Sequence, residues 1–355
     1  WDFGDGGNSK LENPFHDFLK DSTYEVQLIV RNIGGCRDTV SRQIRIHSYP
    51  TANFSVQAVC EYDSARFQDL SSSSELPLMY SWDLGDGLTS SAANPVVKYN
   101  SDGVKLISQI IETPYGCSDT LTQSFTIHPA PVAGFRSNDS AQCFANHAFI
   151  VTDTSRINSG SYTMEWDFDD ANTSSQAIDT HYYTSFGTYV ISLRLSSDQG
   201  CKDTAQHTVY LHPQPEIGFI INQNNQCFNQ NDYLFTDASQ VVSGSLSRTW
   251  KAGDLSQSTD SLFHHQYSAS GGYNVTLIMN TDQGCTDSLS QQVIVYPNPV
   301  AAFSINDSTQ CLLGNSFDFT NLTTLSSGSF SSIWNFGDGS TSNTLNANHT
   351  YLFDS

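Results

Sequence analysis

A short word that pairs two aspartates with glycines recurs along the chain, and such carboxylates could bind Ca²⁺. The word reads WDFGDG at Trp1, WDLGDG at Trp82, WDFDDA at Trp166, WKAGDL at Trp250 and WNFGDG at Trp334. Calcium needs several oxygen ligands at one point, but the first aspartate becomes Lys251 and Asn335 in the later copies. The word therefore favours a tight hairpin turn over a calcium site, because aspartates accept backbone hydrogen bonds there and glycines supply positive φ.

This interpretation predicts that the tryptophan of each word lies in the core and that the second aspartate lies in the turn. These core and turn residues are Trp1, Trp82, Trp166, Trp250, Trp334, Asp5, Asp86, Asp170, Asp254 and Asp338.

Histidines recur in the same rhythm, and imidazoles could serve as metal ligands or general bases. His181, His265 and His349 are 84 residues apart, and three more precede the linkers, at His47, His128 and His212. A catalytic or metal-binding histidine needs partners that converge on one cleft, so packed strand residues with one bonded nitrogen are the simpler interpretation. No G-x-S-x-G turn, Walker loop or Rossmann loop is present. We predict no catalytic residue, no metal ligand and no cofactor.

The spacing of these words indicates tandem repeats. Successive tryptophans are separated by 81, 84, 84 and 84 residues, and GCRDT, GCSDT, GCKDT and GCTDS begin at Gly35, Gly116, Gly200 and Gly284. A fixed period of this length indicates an array of similar units. Proline-containing linkers place the predicted boundaries at 1–49, 50–130, 131–214, 215–298 and 299–355. We expect the first and last units to be partial, so that this chain is a segment of a longer array.

Each unit predicts β-strands. Tyr189, Ile191, Leu193 and Leu195 alternate with other side chains, and Tyr273, Val275, Leu277 and Met279 do the same. Such a period of two, bounded by Gly, Asn, Asp and Pro, is typical of half-buried strands. The predicted fold class is all-β, with small antiparallel sandwiches in tandem.

The words W-D-F-G-D-G, H-x-Y, G-x-Y-x-V-x-L and G-C-x-D-T together resemble tandem PKD (polycystic kidney disease) domains. The resemblance covers the whole chain. In its cysteines the chain resembles the type of PKD domain found in secreted surface and gliding proteins of Bacteroidota. It implies immunoglobulin-like sandwiches, and the short linkers between them predict a rod. The fourth copy departs most, with Lys251 and Ala252 in place of Asp and Phe.

Composition narrows the classes of partner. The chain has 355 residues, a formal net charge of −21 and only 15 Lys and Arg. Nucleic acids and anionic membranes attract clustered basic residues, so we expect neither as a partner. No apolar run is long enough to span a membrane.

The eight cysteines follow the repeat, and they are Cys36, Cys60, Cys117, Cys143, Cys201, Cys227, Cys285 and Cys311. Regular pairs without C-x-x-C indicate disulfides rather than zinc ligands. One alternative bonds cysteines within each repeat, as Cys60–Cys117, Cys143–Cys201 and Cys227–Cys285. In an immunoglobulin-like topology, however, those cysteines lie at opposite ends of a strand, roughly 23 Å apart, whereas a disulfide needs Cα atoms within about 7 Å. The other alternative bonds neighbouring repeats, as Cys60–Cys201 and Cys143–Cys285, and leaves four cysteines for partners outside the segment.

Short proline-containing linkers leave little room for bending, which suggests that stiffness is the function. We expect a structural stalk or filament segment of an extracellular cell-surface adhesin, with neighbouring repeats of the same chain as its partners. One alternative is a carbohydrate-binding array that holds a surface polysaccharide, or contact with another cell-surface protein. Another is an accessory region of a secreted hydrolase. Binding would need aromatic residues outside the core register, and most Tyr and Phe follow that register.

The resemblance to Bacteroidota proteins also implies O-glycosylation at Asp-(Ser/Thr)-X. The candidate hydroxyls are Ser22, Thr39, Ser64, Thr120, Ser140, Thr204, Ser261, Ser288 and Ser308. Four of these belong to the G-C-x-D-(S/T) word, where the aspartate alternatively only ends a hairpin.

Overall fold

The computed structural model describes residues 1–352, which form strands and connecting turns without a helix. Alternating side chains explain the strands. Along Gly187–Ser197 the side chains of Ile191, Leu193 and Leu195 are buried, whereas Val190 and Arg194 on the opposite face are exposed and only Ser192 of that face is buried near the middle of the strand. The prediction of an all-β chain of immunoglobulin-like sandwiches is confirmed.

The chain divides into two compact units. One comprises residues 1–138, 150–181 and 190–208, and the other comprises 139–149, 182–189 and residue 209 onward.

The first unit begins with a hairpin and continues with a sandwich. Its first eleven strands are Ser22–Arg31 (β1), Arg37–Ile46 (β2), Phe54–Ser55 (β3), Val59–Cys60 (β4), Ser64–Arg66 (β5), Gln68–Asp69 (β6), Met79–Asp83 (β7), Thr89–Ser90 (β8), Val96–Lys98 (β9), Gly103–Glu112 (β10) and Ser118–His128 (β11). β1 and β2 pair antiparallel. The sandwich has a five-stranded sheet in the order β4-β11-β10-β7-β8, together with the pairs β3–β6 and β5–β9.

The core of this sandwich surrounds a tryptophan. Trp82 is 1% exposed, and its ring contacts the rings of Phe54 and Phe67. Its indole N–H donates to the carbonyl of Ala92 at 2.9 Å, so that the polar atom is satisfied inside the core.

Eight strands follow, and the division between the units passes through three of them. They are Phe135–Ser137 (β12), Ala141–Cys143 (β13), Phe149–Asp153 (β14), Tyr162–Asp167 (β15), Thr173–Ser174 (β16), Ile178–His181 (β17), Gly187–Ser197 (β18) and Lys202–His212 (β19). In the first unit, β12 pairs with β14, and β15 pairs with both β16 and β18. In the second unit, β13 runs parallel to the end of β19, as β4 does to β11.

The second unit repeats the same plan. Its remaining strands are Phe219–Ile221 (β20), Asn225–Cys227 (β21), Tyr233–Asp237 (β22), Leu246–Lys251 (β23), Gln257–Ser258 (β24), Leu262–His265 (β25), Gly271–Thr281 (β26), Thr286–Tyr296 (β27), Phe303–Ile305 (β28), Phe317–Asn321 (β29), Trp334–Asn335 (β30), Thr341–Ser342 (β31) and Ala347–His349 (β32). A three-stranded sheet, β20-β22-β25, and a five-stranded sheet, β21-β27-β26-β23-β24, supply a shared core around Trp250. The next strands begin the plan again with β28-β29-β32.

Two disulfides are present, one in each unit. Cys60 at the end of β4 bonds Cys201 in the β18–β19 turn, with Cα atoms 5.7 Å apart. Cys143 at the end of β13 bonds Cys285 in the β26–β27 turn, with Cα atoms 5.5 Å apart. These are the pairs of the between-repeat alternative.

The within-repeat alternative, Cys60–Cys117, Cys143–Cys201 and Cys227–Cys285, is wrong for a topological reason. β4 pairs with the last residues of β11, so that Cys60 lies opposite His128, whereas Cys117 directly precedes the first residue of β11. The two cysteines therefore lie at opposite ends of the same long strand. Cys36, Cys117, Cys227 and Cys311 are not bonded to one another in the described chain.

Candidate functional site

The aspartates of the recurring word close the turns by accepting backbone hydrogen bonds. Asp2 accepts the N–H of Gly4 at 2.9 Å, and Asp5 accepts the N–H of Gly7 at 2.8 Å. The corresponding bonds recur at Asp167 and Asp170, and the second aspartate does the same at Asp254 and Asp338. Each such carboxylate thus folds its own loop.

The first glycine of the word is needed for two reasons. Gly4 and Gly253 have φ values of 82° and 89°, and a Cβ there would lie 2.8 Å and 2.9 Å from a strand carbonyl oxygen. A side chain would therefore strain the backbone and collide with the neighbouring strand.

The tyrosine of the H-x-Y word ties the turn to the sandwich. The hydroxyl of Tyr99 donates to the carbonyl of Leu84 at 2.6 Å, and Tyr267 donates to Ala252 at 2.7 Å. Burial raises the pKa of Tyr99 to about 12, so this hydroxyl stays a hydrogen-bond donor at pH values near 10, where an ordinary tyrosine ionises. Tyr351 makes the same bond to Phe336.

Four copies of the turn contain an aspartate–histidine pair. Nε2 of each histidine lies 2.7 to 2.8 Å from the second aspartate, in the pairs Asp5–His16, Asp170–His181, Asp254–His265 and Asp338–His349. His16, His181 and His349 also stack on the phenylalanine of the word, with ring centroids 4.0 to 4.2 Å apart. The histidines are thus packed side chains of a turn, each with one nitrogen bonded.

These contacts lower the pKa of the carboxylates. Burial raises the pKa of Asp254, but hydrogen bonds from Ser256 and His265 outweigh it and hold the pKa below its usual value. The pKa of Asp5 is lowered by the hydrogen bond from His16 and then by that from the N–H of Gly7. A hydrogen bond from Ser340, followed by the backbone and His349, lowers the pKa of Asp338.

The second copy uses different residues for the same contacts. Val97 and Lys105 stand where the third copy has His181 and Tyr189. The ammonium of Lys105 lies 2.6 Å from Asp86 and 5.9 Å from the centroid of the Tyr99 ring. One lysine therefore supplies both the cation beside the aspartate and the partner above the tyrosine.

Cys36, Cys117, Cys201 and Cys285 each lie in a hairpin turn in which a side-chain oxygen accepts the N–H of the cysteine. Thr281 accepts the N–H of Cys285 at 3.0 Å, and Ser197 accepts that of Cys201 at 3.0 Å. Cys201 and Cys285 are buried, at 1% and 0% exposure. A hydroxyl four residues earlier thus holds the backbone of each of these two disulfide-bonded cysteines.

A further cluster lies between the first hairpin and the following sandwich, within the first unit. His47 stacks on Tyr115 with centroids 3.6 Å apart, and its Nδ1 lies 3.2 Å from Glu75. Arg45 lies 3.3 Å from the same carboxylate. These side chains join the end of β2 to two loops of the next sandwich.

The glycosylation candidates lie mostly at the surface. Ser22 is half-buried, and the other eight hydroxyl residues named above are exposed. Within residues 1–352, no three His, Cys, Asp or Glu side chains are grouped closely enough to hold a metal ion.

Sequence reasoning missed the Asp–His pairs and the contacts of Lys105 with Asp86 and Tyr99. The signal was present, because each of these histidines follows its aspartate by 11 residues. The histidine is absent from only the copy that carries Lys105. The His47–Tyr115 contact had no comparable sequence signal.

Comparison with known proteins identifies the units. The PKD domain family matches residues 1–46, 47–129, 128–212 and 212–295. A microbial collagenase of Vibrio alginolyticus is 32% identical over 89 residues, which are 25% of this chain and only 11% of the collagenase.

Two solved PKD domains are also similar. The PKD1 domain of the Vibrio cholerae metalloprotease PrtV is 31% identical and covers 23% of this chain and 96% of that domain, with a TM-score of 0.21. The PKD1 domain of Vibrio anguillarum Epp is 25% identical and covers 23% of this chain and 98% of that domain, with a TM-score of 0.22.

PKD domains are non-catalytic modules, and such domains with disulfides are typical of extracellular proteins. Among the described residues no helix is long and apolar enough to cross a bilayer. Four family matches in tandem cover well over half of the sequence. The chain belongs to the PKD domain family.

Proposed function

We propose that the repeats are a structural stalk, a rigid extracellular spacer within a secreted cell-surface adhesin, with no catalytic role of their own. The observation that carries this proposal is the pair of disulfides. Cys60 and Cys201 belong to consecutive PKD matches, and so do Cys143 and Cys285. A covalent bond between repeats restrains the hinge between modules, as a rigid spacer requires.

Two other features of the junctions also limit bending between repeats. The linker between the second and third matches begins at His128 and contains two prolines, which limit its backbone freedom. His47, Tyr115 and Glu75 pack across the preceding junction. We propose the repeat boundaries 50–130, 131–214 and 215–298, with partial repeats at 1–49 and 299–355, and neighbouring repeats as the principal partners.

The test compares bending with and without the bonds. Small-angle scattering and negative-stain images of the oxidised chain should show a narrow range of lengths. The variant Cys60→Ser/Cys201→Ser/Cys143→Ser/Cys285→Ser should show a broader range while circular dichroism remains that of folded β-sheet. The matched control Cys36→Ser/Cys311→Ser should behave like the wild type. An equally narrow range in the four-serine variant would argue against a disulfide-stiffened spacer.

The finer assignment to Bacteroidota surface and gliding proteins rests on the sequence resemblance. It brings with it O-glycosylation of exposed Asp-(Ser/Thr)-X hydroxyls such as Ser64 and Ser261. Bulky sugars there would protect a sparsely charged surface. Glycopeptide analysis of protein from its native cells tests this assignment, and unmodified peptides throughout would remove it.

A second candidate is an accessory region of a secreted hydrolase. It is favoured by the similarity to a collagenase and to a metalloprotease domain. The complete reading frame distinguishes the two candidates, because an accessory region requires a catalytic domain in the same polypeptide.

A further inference from the structure

One junction carries an open cleft that the spacer role does not use. The cleft has a volume of about 510 Å³, lies entirely in the second unit and is lined by Tyr210, His212, Ser243, Gly244, Asp282 and Gln283. We name it the Tyr–His cleft. One wall is the end of β19, and the other is formed by the β26–β27 turn with the neighbouring loop.

The first wall presents two parallel aromatic rings. Tyr210 and His212 lie two residues apart on one face of β19, and their ring planes differ by only 5° with centroids 6.4 Å apart. Tyr210 is 46% exposed, unlike the tyrosines of the core. Backbone pairing with β13 fixes this strand, since Ala141 lies opposite Tyr210 and Cys143 lies opposite His212.

The second wall presents polar groups. Asp282 supplies a carboxylate, Gln283 an amide and Ser243 a hydroxyl. The carboxylate passes so close to Gly244 that a Cβ there would lie 2.5 Å from its oxygen. The N–H of Asp282 donates to the carbonyl of Ser245 at 3.1 Å, which holds the turn against the loop.

A single covalent bond holds the two walls together. Cys143 lies beside His212 in the sheet, and Cys285 follows Gln283 by two residues in the turn. The disulfide therefore fixes the spacing of the rings and the polar groups before any ligand arrives, which lowers the entropic cost of binding.

We propose that the Tyr–His cleft binds a neutral saccharide. A pyranose ring offers a flat array of C–H groups to an aromatic face and a rim of hydroxyls to carboxylate and amide groups. Asp282 and the net charge of −21 disfavour an acidic glycan. This site goes beyond the spacer function, which stands whether or not the cleft is occupied.

The preceding junction provides a matched control inside the chain. One period earlier, His128, Asp198 and Gln199 correspond to His212, Asp282 and Gln283, but exposed Thr126 stands where Tyr210 does. The disulfide Cys60–Cys201 is also in place there, with Cys60 opposite His128. The two junctions thus differ at the proposed platform by one aromatic ring.

The experiment is isothermal titration of the oxidised chain with cellohexaose, mannohexaose and xylohexaose, and with hexagalacturonate as the acidic comparison. At least one neutral hexasaccharide should bind at a single site, and Tyr210→Thr and Asp282→Ala should each weaken binding by about tenfold or more. Thr126→Tyr should raise the stoichiometry to two sites. Near-ultraviolet circular dichroism checks that each variant is folded.

Three results would overturn the proposal. They are no binding of any neutral probe, binding unchanged by Tyr210→Thr, and a stoichiometry that stays at one in Thr126→Tyr. Preference for hexagalacturonate would contradict the assigned ligand class.

Discussion

At the residue scale, the second repeat shows how two substitutions compensate each other. Val97 stands in place of the histidine that pairs with the aspartate in the other copies. Lys105 stands in place of the tyrosine that, in the third and fourth copies, stacks on the tyrosine of the H-x-Y word. The lysine side chain is buried along its stem and reaches Asp86 with its ammonium. The contact pattern of the turn is thus retained while its chemistry changes.

This compensation predicts a coupling that a double-mutant cycle can measure. Lys105→Tyr alone should destabilise the repeat, because Asp86 loses its cationic partner. Lys105→Tyr combined with Val97→His should recover most of the loss, with a coupling free energy of about 1 kcal/mol. Urea unfolding of the four proteins tests this, and additive effects would contradict it.

The lowered pKa of Asp254 predicts a pH dependence of defined sign. A depressed carboxylate pKa contributes stability that is present above the ordinary value of about 3.9 and is lost as the pH falls through the folded value. Asp254→Asn should therefore be less stable than the wild type at pH 7, and the difference should shrink at about pH 3. Urea midpoints at both pH values provide the measurement, and Asp260→Asn provides an exposed control. An identical difference at both pH values would contradict the assignment.

At the element scale, the β26–β27 turn depends on a buried hydroxyl. Thr281 is 7% exposed and accepts the N–H of Cys285. Because an unpaired buried N–H is costly, the turn needs this side chain as well as its backbone bonds.

Thr281→Val keeps the shape but removes the acceptor. It should lower the free energy of local opening by about 1 to 2 kcal/mol and increase the rate at which dithiothreitol reduces Cys143–Cys285. Hydrogen exchange of the turn and a timed thiol assay measure the two effects. Thr276→Val, on the same strand, serves as the control and should leave both nearly unchanged. Equal protection in the two variants would show that the hydroxyl is dispensable.

At the scale of the whole molecule, the disulfides enclose long segments of chain. Cys60–Cys201 spans 141 residues and Cys143–Cys285 spans 142. In the chain-entropy account, a loop of this size restricts the unfolded state by about 5 kcal/mol. Each bond also makes the unfolding of one repeat depend on the state of the next.

Calorimetry tests this dependence. The oxidised chain should unfold with overlapping transitions, and Cys143→Ser/Cys285→Ser should show a separate transition at lower temperature. Cys227→Ser, which replaces a cysteine that takes part in neither disulfide, should leave the profile unchanged. A superimposable profile for the double variant would mean that the repeats unfold independently in both proteins.

The repeat, the strands and the turns could be predicted from the sequence because they depend on local interactions. Alternating apolar residues such as Ile191 and Leu193 set which strand face is buried, and Asp5 folds a loop only two residues ahead of itself. Such information lies within one period of the chain and is repeated in every copy. It therefore sufficed for the family resemblance and the all-β fold.

The choice of disulfide partners became clear only in the folded chain, because each pair is separated by more than one and a half periods and depends on which sheet ends meet. The same holds for the Lys105–Asp86 contact, because Lys105 lies on β10 and Asp86 lies in the turn between β7 and β8. It also holds for the Tyr–His cleft. Tyr210 is one more alternating strand residue in sequence, and its position opposite Asp282 arises only when β19 and the β26–β27 turn are brought together in space.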